Sequence, residues 1–129
     1  MATTPNLTNT PIDALTKLDS TASTSTPTSA LVAPANGAKI GVFRAINTDT
    51  TQTIMLGVYK SVSGVDYLLG YVTLGAAASA TAPTVADILS AIWGNNAMNL
   101  AYGTTIKVLP SVAPASGKNV IVHIEGASF

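Results

Sequence analysis

Residues 51–74 read Thr-Gln-Thr-Ile-Met-Leu-Gly-Val-Tyr-Lys-Ser-Val-Ser-Gly-Val-Asp-Tyr-Leu-Leu-Gly-Tyr-Val-Thr-Leu, and this stretch decides the fold class. From Thr51 to Lys60, Ile54, Leu56 and Val58 fall on one face of an extended chain, and Met55 and Tyr59 fall on the other. Ser61-Val-Ser-Gly64 supplies a hairpin, because Gly64 takes a left-handed conformation at little steric cost. The next strand, Val65 to Leu74, sets Val65, Tyr67, Leu69 and Tyr71 against Leu68, Val72 and Leu74. An antiparallel strand with one wet side carries one polar face. This strand is apolar on both, so its second face is expected to meet a helix, the N-terminal segment or a neighbouring subunit.

The flanking sequence continues the alternation. Lys39 to Asn47 places Ile40, Val42, Arg44 and Ile46 on one face and Phe43 and Ala45 on the other, with a turn at Thr48-Asp49-Thr50. Ala30 to Ala33 makes a short first strand before Pro34-Ala-Asn-Gly37. Thr105 to Val112 and Asn119 to Gly126 are closing strands, joined by Ala113-Pro-Ala-Ser-Gly117. One stretch breaks the pattern: Val85, Ile88, Leu89 and Ile92 have helical spacing, with Thr84 as N-cap, Asp87 three residues on and Gly94 as C-cap. The expectation is an all-β domain over residues 34–129, an antiparallel β-sandwich of jelly-roll-like type with one short helix.

Residues 1–33 differ in composition. Eight of the ten residues from Ser20 to Ser29 are Ser or Thr, and the sizeable apolar residues past Met1 and before Ala30 are Leu7, Ile12, Leu15 and Leu18. A segment this poor in apolar surface does not offset its ordering entropy alone, so it reads as an extended arm. Leu7, Ile12, Leu15 and Leu18 are its expected docking residues, the last three spaced for one weak helical turn or a patch. The alternative is an arm folded back on its own domain.

Composition narrows the function classes. Six Lys+Arg balance six Asp+Glu, and charged residues make up 9% of the chain, against roughly 25% in an average domain. Nucleic-acid binding calls for clustered cations, which are missing. There is no cysteine and one histidine, His123, so neither a disulfide framework, a Cys site nor a His pair is available. The N-terminus has neither the basic region nor the apolar stretch of a secretory signal. The uncharged runs from Tyr67 to Ala86 and from Ile88 to Ile106 are too broken by Gly, Pro, Asn, Ser and Thr to span a bilayer.

Nucleophile-elbow, phosphate-loop and zinc-helix motifs are absent, so no catalytic residue, cofactor, metal or small-molecule substrate is expected. His123 alternates with Val122 and Ile124 and reads as a surface or interface histidine, with Glu125 solvated or ion-paired. The other acids are spread out, and Asp49 and Asp66 sit in or beside turns. Tyr67, Leu69, Tyr71 and Trp93 are the expected oligomer face, since aromatic residues concentrate where protein surfaces meet.

From Pro34 onward the chain resembles a family of small β-sandwich virion proteins of tailed bacteriophages. The likeness rests on Pro34-Ala-Asn-Gly37, Ile40, Phe43-Arg44-Ala45, the Thr-rich turn Thr48 to Thr53 and Asp66-Tyr67-Leu68-Leu69. It continues through Ala78-Ser-Ala-Thr-Ala-Pro83, Asn119-Val-Ile-Val-His-Ile-Glu-Gly126 and Phe129. The chain departs from the family in ending Ala127-Ser128-Phe129, where Gly-Asp-Phe is common, and in its stretch from Thr84 to Trp93. The resemblance implies a capsid decoration or cement protein on the virion exterior, assembled in the host cytoplasm. Its implied partners are the major capsid protein and copies of itself, as a homotrimer or other homo-oligomer. It would bind neither nucleic acid nor membrane, and the arm would staple neighbouring capsid subunits. The alternatives are a tail, neck or fibre-associated adhesion module binding a host-surface glycan, and a small coat protein that builds the shell itself.

Overall fold

Ser63 and Gly64 both adopt positive φ, 53° and 79°, the two-residue turn whose twist matches that of the strands it joins. Ser61 and Val62 therefore continue the strand instead of turning. The computed structural model describes residues 10–129. Within them the strands are β1 (Pro11–Leu18), β2 (Thr28–Val32), β3 (Ala38–Asn47), β4 (Ile54–Val62), β5 (Val65–Leu74), β6 (Thr84–Asp87), β7 (Met98–Leu100), β8 (Thr104–Pro110) and β9 (Val120–Ser128).

They form two antiparallel sheets. One runs β1-β9-β3-β6, with β7 also on β3, and the other runs β2-β8-β4-β5. The pairing is nested: β1 with β9, β2 with β8, β3 with β6 and β4 with β5. With the short β7 set aside, this is the strand order of a jelly roll, a double-sheet all-β architecture. The inner faces meet in a core built on Phe43, Ile40 and Ile124 from the first sheet and Ile54, Leu56, Ile106 and Val108 from the second. No helix among the described residues is long and apolar enough to cross a membrane.

Three expectations need correction. The first is the boundary between residues 33 and 34. β1 pairs along its whole length with β9, and β2 pairs with β8, so residues 11–32 supply one edge strand to each sheet. The arm folded back on its own domain is the arrangement observed. Ile12, Ala14 and Leu18 turn inward at strand spacing, with Leu18 fully buried. The Ser/Thr run links the two sheets through local bonds: Asp19 accepts the Thr21 amide, and the Ser23 hydroxyl accepts the Thr26 amide at 3.0 Å.

The second concerns β3. Its register shifts between Ile40 and Val42, so Ile40 joins Phe43 and Ala45 in the core while Arg44 faces out. Gly41, inside the strand, is the sequence mark of such a bulge.

The third is the helix expected from Thr84 to Trp93. Thr84–Asp87 instead pairs with Arg44–Asn47, and only Leu89–Trp93 coils, as one π-helical turn. β3 offers those residues a complete set of strand partners. Asp87 then accepts the Ser90 amide at 3.2 Å, and Gly94 ends the turn at a φ of 68°.

Candidate functional site

β5 is an edge strand, and its N-terminal half is covered on neither face. Val65 is 50% exposed, Tyr67 55%, Leu68 47% and Leu69 40%. Register places Leu68 opposite Tyr59, and Tyr71 opposite Gly57, with the extra residue Leu69 bulging between them. Leu68 and Tyr71 thus both point to the outer face of the second sheet, as do Tyr59 and Lys107. Gly57 provides the space there: a Cβ at this position would lie 3.1 Å from the Tyr59 ring and 3.3 Å from the Tyr71 ring. Burial pushes the Tyr59 phenol up, and Tyr71 and Asp66 add to the shift.

The strand's one charge, Asp66, is neutralised within the chain. Lys107 Nζ lies 3.2 Å from its carboxylate. A hydrogen bond from Ser61, with Lys107 beside it, holds the Asp66 carboxyl below its ordinary range. Val65–Leu68 is therefore an apolar strip with little net field. From Gly70 onward the inner face is occupied: Ile92 of the helical turn packs so close over Gly70 that a Cβ there would lie 2.9 Å from its Cδ1. Val72 and Leu74 are buried.

Of the expected oligomer face, Tyr67, Leu69 and Tyr71 are all exposed on β5, but the bulge at Leu69 splits them: Tyr71 lies on the outer face with Leu68, and Tyr67 on the opposite one. Trp93 is not with them. It is partly buried, with its ring 5.9 Å from that of Phe43. The expected docking residues also separate. Leu7 lies outside the described residues. Ile12 and Leu18 face the core, and Leu15, 68% exposed, faces out from the first sheet. A helical turn would have gathered Ile12, Leu15 and Leu18, whereas a strand alternates them. Val65 and Leu68, signalled by alternation on a two-sided apolar strand, extend the exposed strip, and Val62 joins it from the end of β4, where a turn was expected.

A polar network on the outer face of the first sheet joins His123 and the expected ion-paired Glu125 to two partners that the sequence reading missed, Asp13 and Arg44. Register aligns Leu15, His123 and Arg44 across three strands, with Asp13 opposite Glu125 one step along. Arg44 Nε donates to His123 Nδ1 at 3.2 Å. That leaves Nε2 as the donor to Asp13 and Glu125, each at 3.1 Å. The ligand atoms of Asp13, His123 and Glu125 lie within 4.8 Å of one another, a spacing that also suits a metal ion. A metal on Nε2 would move the proton to Nδ1, against the Arg44 N–H, so the observed bonds describe a closed hydrogen-bond network. Asp13 stands 110 residues from His123, which is why local spacing gave no sign of it.

No family model matches the chain, and no curated protein matches it.

Proposed function

We propose that this protein is a structural subunit of a tailed-phage virion, a decoration or cement protein on the outer capsid surface. It would bind the major capsid protein and associate with its own copies. The observation that carries the reading is β5, an apolar edge strand with its backbone and side chains open to a partner. Strand addition supplies main-chain bonds along such an edge, and alternate side chains supply specificity. A jelly roll is an architecture used by viral capsid and lectin domains, which is support by fold analogy alone. The phage setting rests on the sequence likeness from Pro34 onward.

The docking element moves in consequence. Ile12 and Leu18 are committed to the sandwich core, so β5 is the surface that meets the partner. Immunogold labelling of intact particles is expected to show many copies over the shell exterior. Label confined to the tail tip would favour the adhesion module, for which exposed Tyr67, Tyr71 and Tyr102 offer stacking faces. Particles without label would overturn the virion assignment.

A further inference from the structure

We infer that a second copy of this chain pairs with β5, edge to edge and antiparallel, about a two-fold axis at Tyr67. This rests on β5 being an assembly surface, and it names the occupant and the register. Natural sheets protect their edges with short strands, prolines, lysines or bulges. β1 carries Pro11, Asp13 and Lys17, and β6 is 4 residues long and follows Pro83. β7 has 3 residues, and β2 has 5 with a bulge before Leu31. β5 has 10 residues with no proline, no lysine and no arginine, and its one bulge, at Leu69, falls at the end of the uncovered run. Among the described residues, no backbone hydrogen bond outside its ladder with β4 reaches it.

The geometry of self-pairing selects the register. A two-fold axis perpendicular to a sheet keeps each face on its own side only when one residue lies opposite its own copy. Centred on Asp66, the pairing would set two carboxylates against each other. Centred on Leu68, it would run past the bulge into Gly70 and Tyr71, where Ile92 already packs. Centred on Tyr67, Val65 meets Leu69, Asp66 meets Leu68, and the two Tyr67 rings meet across the axis. That register uses the whole uncovered run and opposes no like charges. The chain's formal net charge of zero adds no long-range repulsion between copies. Pairing over Val65–Leu69 buries less than the roughly 1,600 Å² of a standard interface, so the dimer is concentration-dependent.

The chain has no cysteine, so Tyr67→Cys gives an unambiguous probe. Under mild oxidation it is expected to form a disulfide-linked dimer, because residues directly opposite in an antiparallel pair lie within disulfide reach. Leu69→Cys is expected to stay uncross-linked, since its two copies would lie about 13 Å apart along the strands. Light scattering is expected to show a dimer for the unmodified chain at high concentration, and self-association at least tenfold weaker for Tyr67→Lys at an unchanged melting temperature. A reducible thiol at position 67 that never cross-links, equal cross-linking at position 69, or a chain monomeric at every concentration would each overturn self-pairing. The two readings separate on particles: if self-pairing fails, Tyr67→Lys that no longer binds capsids still supports β5 as the assembly surface. Tyr67→Lys that binds as well as the parent overturns both.

Discussion

Asp49 shows how one residue can be held charged inside this sandwich. It is 1% exposed, and burial alone would raise its pKa. Hydrogen bonds from Ala115, Thr51 and Gln52 outweigh that and hold the carboxyl far below the ordinary range. The Thr51 amide donates to Oδ1 at 2.9 Å, and the Ala115 amide and Gln52 Nε2 each donate to Oδ2 at 2.9 Å. A carboxylate whose pKa falls on folding stabilises the fold fully above its unfolded value, here 3.8, and that contribution is lost as pH drops below it. Asp49→Ala leaves several buried donors unpaired and is expected to cost about 2–4 kcal/mol at neutral pH in chemical denaturation. Asp49→Asn is expected to flatten the acid limb of a stability–pH curve. The turn was legible from Thr48-Asp49-Thr50, but the bond to Ala115, 66 residues away, was not. By contrast Asp13, 66% exposed in its pair with His123, is screened, and Asp13→Asn is expected to change stability by less than about 1 kcal/mol.

At the level of elements, what could be read from sequence follows from how local each signal is. β3, β4, β5, β8 and β9 combine alternation with adjacent turn residues, and their bounds were nearly right. β1 and β2 flank the Ser/Thr-rich link, β2 overlapping the short strand expected at Ala30 to Ala33, and both gain their stability from β9 and β8 at the other end of the chain. Composition counted within the segment treats such borrowed pairing as missing. Truncation tests this directly: deleting residues through Leu18 strips β9 of one of its two partners and opens the core, so it is expected to abolish cooperative thermal unfolding. A free arm in this position would be removed without effect. Leu18→Ala alone is expected to cost about 2–5 kcal/mol.

Glycines in β3 and β9 separate two further roles. A Cβ on Gly126 would run into the Lys39 carbonyl oxygen and the Ile40 Cα beside the bulge, whereas a Cβ on Gly41 meets nothing within 4 Å. Gly126→Ala is therefore expected to lower stability by about 1–3 kcal/mol or more, with Gly41→Ala close to neutral in the same melting assay.

For the whole molecule, nested pairing explains both what was missed and which surface stays uncovered. Because the first strand pairs with the last, most of the sheet is built from residues distant in sequence, and folding is expected to be slow for the chain's size. Its low charge is spent unevenly. Asp13, Glu125, Arg44 and His123 gather on the outer face of the first sheet. The edge of the second sheet keeps one charge, already matched by Lys107. The two-sided apolar character of Val65 to Leu74, the first unusual feature of the sequence, survives as an uncovered strip over Val65–Leu69 once the core, the helical turn and residues 11–32 have taken their places.

Hydrogen exchange across Val65–Leu69 in the assembled protein, set against the Tyr67→Lys chain, tests that strip most directly. An edge strand with no partner exchanges quickly, and a paired one is protected. Slowed exchange confined to these amides in the assembled form is the expected result; equally fast exchange in both would contradict burial of β5 in any assembly.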